Sequence, residues 1–227
     1  LATLTTKEEL LDAILPLTYY ILPVAFLEMI VSFLFLRRIN TSYTKNETLT
    51  MDKNELLKGK LLTKNIQIIF SNNIIFLSVI GLSVFWGVSQ GLMAVFPSFA
   101  KEYLGVTDVF VINAVIGASG IGIAIGSLIY SKISKHYIEI GTIPFSALGM
   151  ALMIYVSTIV QTPFLLGMSF LVFGIFGGLF VVPLNALIQF NAKKKVLGTI
   201  LAGNNWFHSL AMFLMLALTT TVSYYDL

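Results

Sequence analysis

Cysteine is absent from this sequence, histidine and tryptophan occur twice each, and only 11% of the residues are charged. The missing cysteines exclude a disulfide framework, a cysteine-based zinc site and a thiol nucleophile together. The missing charge excludes more. A soluble domain carries about 25% charged residues, so this chain has less than half the charge that a water-facing surface needs. Hydrophobic residues fill 57% of its 227 positions. Length alone allows one or two globular domains, but composition makes lipid the solvent for most of this surface.

The shortage of titratable groups also removes most catalytic chemistry. There is no phosphate-binding loop, no His-Glu-x-x-His and no pair of acids at depth. His136 is followed five residues on by Gly141, and His208 by Phe213, so neither fits the His-x4-Asp pattern of glycerolipid acyltransferases. The chain is expected to be no enzyme, and to take no cofactor, no metal and no nucleic acid.

What is present is long apolar runs. A bilayer core of about 30 Å needs roughly 20 apolar residues in a helix. Six runs meet that need: Leu17–Leu36, Ile74–Phe99, Val109–Tyr130, Ile138–Thr158, Phe164–Gln189 and Thr199–Thr221. Backbone groups in lipid must bond within their own segment, so the runs are helices. The short alternating segments of a β-barrel are absent. The fold class is therefore all-α, a polytopic membrane helix bundle of about six transmembrane helices.

The loops orient the bundle. The linker Arg37–Asn73 carries seven basic residues, the loop Ser131–Tyr137 carries Lys132 and Lys135, and the loop Phe190–Leu197 carries Lys193, Lys194 and Lys195. The alternate loops hold only Lys7 and Lys101, so twelve of fourteen basic residues lie on one side. By the positive-inside rule that side, with Lys58, Lys132 and Lys194, is cytoplasmic, and Lys101 and Gln161 lie outside. Within the linker, Leu56, Leu57, Leu61, Leu62, Ile66, Ile69 and Phe70 recur at helical spacing between lysines, which predicts an amphipathic surface helix; the alternative is the start of the next span. The domain reading is an external segment and one helix over 1–36, a cytoplasmic linker over 37–73 and a helix bundle over 74–227. No cleavable signal opens the chain. It starts at Leu1 and stops at Leu227 just after a hydrophobic run, and both ends are expected to be cuts in a longer protein.

Polar and small residues inside the runs are the candidate functional positions. Ala118, Gly122 and Gly126 sit four apart in the third run, a spacing that lets two helices approach closely; a sliding surface is the other use of such a face. In the fifth run Gly174, Gly178, Asn185 and Gln189 share one face, and Pro183 interrupts the hydrogen-bond ladder just before Asn185. The sixth run opens with Gly203-Asn204-Asn205-Trp206-Phe207-His208, where Asn204 and Asn205 lie four and three residues before His208. In the second run Ser83, Trp86 and Gln90 form a stripe beside Gly87 and Gly91, and Pro97 marks a bend. Glu28 is the one acid placed near a span centre, a functional candidate by default. For Glu28, Gln90, Asn185, Gln189, Asn204, Asn205 and His208 the competing roles are a substrate pathway and helix-to-helix hydrogen bonding alone. A lone imidazole satisfied by a neighbour is commoner than a proton relay.

Several of these stretches carry a family resemblance. Ser83-Val84-Phe85-Trp86-Gly87, the run Gly177-Gly178-Leu179-Phe180-Val181-Val182-Pro183-Leu184-Asn185-Ala186-Leu187-Ile188-Gln189, the Lys193–Lys195 loop with Gly198, Asn205 and Ala211-Met212 resemble the C-terminal half of the bacterial lysophospholipid transporters of the major facilitator superfamily. The resemblance covers more than half of the chain. It implies a partial fold, helices six to eleven of twelve, with the basic linker joining two six-helix halves around a cavity. One stretch departs: where stand-alone members resemble Gln-Asn-Leu-Gly-Glu-Asn, this chain has Asn204-Asn205-Trp206-Phe207-His208-Ser209. That version looks more like the transporter portion of fusions with an acyltransferase and an acyl-carrier-protein synthetase. The resemblance implies a multi-pass protein of the bacterial inner membrane that moves a lysophospholipid, lysophosphatidylethanolamine foremost, inward for reacylation. Its implied partners are membrane lipids, the N-terminal half of the same chain and a fused or partner acyltransferase. The competing expectations are a facilitator of another small molecule, such as a drug exporter, and a pure membrane anchor.

Overall fold

The computed structural model describes residues 22–23, 25–34 and 66–225. The chain divides into two compact units, Leu1–Met51 and Asp52–Leu227. In the first unit a short apolar helix, α1 (Ala25–Leu34), carries Glu28 on an exposed position; the rest of the expected run Leu17–Leu36 lies largely outside the described residues. The expected surface helix over 56–70 lies outside them as far as residue 65, and α2 (66–70) is helical.

The second unit holds five helices long and apolar enough to cross a membrane: α3 (Asn73–Tyr103), α4 (Val109–Ile133), α5 (Thr142–Ile159), α6 (Pro163–Asn191) and α7 (Leu197–Tyr224). Their starts follow from local chemistry. Asn72 Oδ1 accepts from the backbone N–H of Ile74 at 2.9 Å and Ile75 at 3.3 Å, closing the first turn of α3. Asp108 does the same for α4 through Phe110 N at 2.8 Å, and Pro163 opens α6 at the position where its missing N–H costs nothing. Gly105, at φ 64°, turns the chain between α3 and α4 in a conformation other residues rarely adopt.

Boundaries differ from the apolar runs by a few residues in each helix: α4 runs on to Ile133 and α6 spans Pro163–Asn191, and the other three differ as follows. Helix α5 begins at Thr142 rather than Ile138, because Thr142 Oγ1 donates to Glu139 O at 2.9 Å and Ile143 N to Ile140 O at 3.0 Å in a turn before the helix. Helix α3 runs through Pro97 to Tyr103, held by Phe96 and Ala100, which are buried with Val115, Leu166 and Phe170. Helix α7 starts two residues early and continues to Tyr224.

Helix α6 is the hub: α4, α5 and α3 pack on it, and α7 packs on α3. One core cluster joins Val79 and Leu82 of α3 to Leu184 and Ile188 of α6 and Ile200 of α7. Another joins Phe85, Phe173 and Met150 from α3, α6 and α5. Large apolar side chains such as Leu77, Leu128, Leu148 and Phe213 stand exposed, as lipid-facing positions must. Four hydroxyls in the spans are spent locally: Ser78, Ser83, Ser127 and Ser146 each donate to the carbonyl four residues before, at 2.7 to 2.8 Å.

Candidate substrate-pathway helices and their seams

Two parallel helix pairs organise the site. In the first, α4 lies against α6 backbone to backbone. A Cβ added at Gly122 would strike Leu171 O and one at Gly126 would strike Ile175 O; one at Gly174 would strike Ser119 O and one at Gly178 would strike Ile123 O. Nothing flexible stands at these four contacts, so no side chain fits without parting the helices. Ala118 is half-buried beside them. Gly117 and Gly120, in the same glycine-rich run, have open space where a Cβ would go.

In the second pair, α3 lies against α7. Gly87 faces Ala211, with 3.3 Å from an added Cβ to Ala211 O, and Gly91 faces the end of the Met215 side chain. The register places the start of α7 beside the start of α3, and the Trp86 and His208 rings have centroids 6.4 Å apart at 40°. Asn204, one turn before His208, is only 3% exposed. Among the described residues neither Asn204 Oδ1 nor His208 Nε2, both fully buried atoms, has a hydrogen-bond partner, and the same holds for Ser89 Oγ on α3.

The remaining candidates separate. Gln90 is half-buried on α3 one turn past Trp86, Asn205 is exposed although its neighbour Asn204 is buried, and Gln189 is exposed at the end of α6. Asn185 is half-buried, and its Nδ2 donates to Val181 O at 3.0 Å within its own helix. The helix continues unbroken through the buried Pro183, whose missing N–H leaves the Leu179 carbonyl without its usual partner. Gly174 and Gly178 are used against α4, so the face drawn through Gly174, Gly178, Asn185 and Gln189 serves packing at one end and polarity at the other. Glu28 belongs to the first unit. Ser89 escaped the sequence reading because a single serine in an apolar run carries no periodic signal. Among the described residues no group of three or more His, Cys, Asp or Glu could hold a metal ion.

The family model of the Major Facilitator Superfamily matches residues 13–216. The chain belongs to the Major Facilitator Superfamily. As a chain of this superfamily with five apolar spans, it is a multi-pass membrane protein.

The superfamily match is joined by similarity to curated relatives. The lysophospholipid transporter LplT of Photorhabdus laumondii subsp. laumondii is 29% identical over 150 residues, covering 64% of this chain and 36% of that protein. The protein of the same name from Serratia proteamaculans is 33% identical over 147 residues, covering 62% and 35%, and that of Escherichia coli O157:H7 is 32% identical over 143 residues, covering 62% and 36%. The chain therefore spans little more than a third of the length of these relatives, which are named as transporters and not as enzymes. No solved structure matches the chain.

Proposed function

We propose that the protein carrying this chain moves a lysophospholipid across the bacterial inner membrane. The observation that carries the reading is the similarity to lysophospholipid transporters from several bacteria over about three fifths of the chain. The geometry supplies a physical fit. A lysophospholipid has one acyl tail and a polar head, and its passage must keep the head from hydrocarbon while the tail stays apolar. Apolar grooves flank α3 on two sides: one of about 430 Å³ along α7, lined by Val84, Phe207 and Leu214 among others, and one of about 260 Å³ against α5 and α6, lined by Phe85, Met150 and Phe173. Either accepts a tail. Gln90, Asn185, Asn204 and His208 offer neutral donors and acceptors to phosphate and glycerol oxygens, whereas the middle of these spans carries no lysine or arginine to hold a phosphate too tightly.

In this reading lysophosphatidylethanolamine is the preferred substrate, moved inward to be reacylated by an acyltransferase that is fused to the chain or separate from it. The test is reconstitution of the protein as the cell makes it, with fluorescent lysophosphatidylethanolamine and its diacyl counterpart offered side by side. Faster movement of the lyso form supports the assignment. Equal rates for both lipids, or none for either, overturn it and leave only the superfamily membership.

A further inference from the structure

We infer that Asn204 recognises the free glycerol hydroxyl of a lysophospholipid, the group that a diacyl lipid lacks, and so sets the preference for the lyso form; the inference rests on the transport reading above. Helices α3 and α7 run in parallel, with Ala211 facing Gly87 and Met215 facing Gly91. Ile200 is buried in one cluster with Val79 and Leu82 of α3. Asn204 stands four residues after Ile200 and seven before Ala211, so it belongs to the same α3-facing stripe of α7. There it is an amide among isoleucine, alanine and methionine. Its Oδ1 is fully buried and has no partner among the described residues. The serine hydroxyls of α3 near this level do not serve it, because Ser78 and Ser83 donate to Ile74 O and Val79 O in their own helix. A buried acceptor left unpaired opposes folding. An amide kept in that state points to a donor that arrives with the substrate.

The surroundings select the kind of donor. Helix α3 carries one carboxylate, Glu102, in its last turn, and α6 and α7 carry none. Nothing near Asn204 on these helices balances an ammonium, so its neutral oxygen suits a neutral donor, and the hydroxyl is the neutral donor of a lysophospholipid. Position agrees. The groove of about 430 Å³ beside the stripe runs from Ile80 and Phe207 outward to Leu218, and Ser83 is the one polar side chain in its lining. Asn204 lies one turn nearer the start of α7 than Phe207. A tail laid in this groove brings the glycerol to the level of Asn204 and turns the head toward the Lys193–Lys195 turn that precedes α7, as in a lipid whose head has already crossed to the lysine-bearing side. Oδ1 is covered in the closed seam, so the hydroxyl meets it as the seam parts. Gly91 offers little resistance to that motion, since it meets the end of the Met215 side chain and not backbone. A diacyl lipid carries an ester at the same carbon, which has only acceptors. It sets oxygen against oxygen and leaves Oδ1 unpaired, the arrangement by which a site built for a substrate hydroxyl rejects the analogue without one.

The test compares three lipids in proteoliposomes of the protein as the cell makes it: lysophosphatidylethanolamine, its 2-deoxy analogue and its 2-O-methyl ether. All three have one acyl chain and the same head, and the ether keeps the oxygen but loses the proton. Wild type is expected to take up the lyso form about tenfold or more faster than either analogue. Asn204→Leu is expected to bring uptake of the lyso form down to that of the analogues, and to leave the analogues as they were. Equal uptake of the lyso form and either analogue by wild type overturns the proposal, and so does a preference that survives in Asn204→Leu. Wild-type uptake of none of the three overturns the transport reading instead. Should Asn204→Leu fail to fold, Asn204→Ala serves as the variant, and the wild-type comparison stands without either.

Discussion

The α4–α6 and α3–α7 pairs are built alike and work differently. Both are parallel, both rely on glycines four residues apart, and both bring helix axes close. At Gly122, Gly126, Gly174 and Gly178 the opposing atoms are all main-chain atoms, a carbonyl oxygen nearest in each case, and they have nowhere to go. At Gly91 the opposing atoms are the Cγ and Cε of Met215, the most adaptable of apolar side chains. Among the described residues the first seam carries no buried unpaired polar atom, whereas α7 brings two, Asn204 Oδ1 and His208 Nε2, the latter on the ring that lies against Trp86 of α3. Gly87 meets the Ala211 carbonyl, 3.3 Å from an added Cβ, so the first seam is a weld at every glycine and the second only grazes backbone at one glycine and is adaptable at the next; what decides is the residue on the far side.

That contrast can be broken by substitution. The largest effect is expected from Gly126→Leu, which must push α4 from α6 along the whole contact and cost more than about 4 kcal/mol. Thermal unfolding in detergent should show no folded protein, and wild-type stability would refute the weld. Asn204→Leu comes next. Removing an unpaired buried acceptor should leave stability unchanged or raise it by about 1–3 kcal/mol, while lysophospholipid transport is lost. A strongly destabilised variant would mean that the amide is a structural tie. Gly91→Ala should cost no more than about 1 kcal/mol, since Met215 can rotate out of the way; a loss as large as at Gly126 would erase the distinction between the seams. The smallest effect belongs to Gly120→Ala, expected to add roughly 0.5–1 kcal/mol because no neighbour opposes the methyl and helix propensity improves. A loss of stability there would reveal a close neighbour on that face.

The five spans of the second unit were legible because each is an apolar run of membrane length, and no other structure satisfies its backbone in lipid. Their edges were less legible. Pro97 suggests an end, but burial of Phe96 and Ala100 against α4 and α6 carries the helix past it; Ile138 suggests a start, but a turn closed by Glu139 delays it. The site was legible in kind and not in phase. Asn204 and Asn205 are adjacent and chemically identical, yet one is buried and the other exposed, which depends on where α3 crosses α7. Gly120 and Gly122 differ in the same way through the path of α6. Gln189 is exposed although Ile188 beside it is fully buried, and periodicity within one helix cannot show which side the neighbouring helices cover.

The locally spent hydroxyls bear on how such a protein is made. Helix α3 leaves the ribosome about a hundred residues ahead of α7, its partner, and α4 waits for α5 to be finished before α6 arrives. During that interval each helix faces lipid on the side it will later bury. A glycine face tolerates the delay, because it shows lipid only backbone already bonded inside the helix. Ser78 and Ser83 tolerate it too, each having given its proton to its own helix at 2.8 and 2.7 Å. Of the three buried polar atoms without a partner among the described residues, Ser89 Oγ is on α3, but those of the larger side chains Asn204 and His208 belong to α7, the last of the five spans to be synthesised, which reaches the bilayer when α3 is already there to receive it. Chain order thus keeps the amide and the imidazole of α7 in lipid for the shortest time.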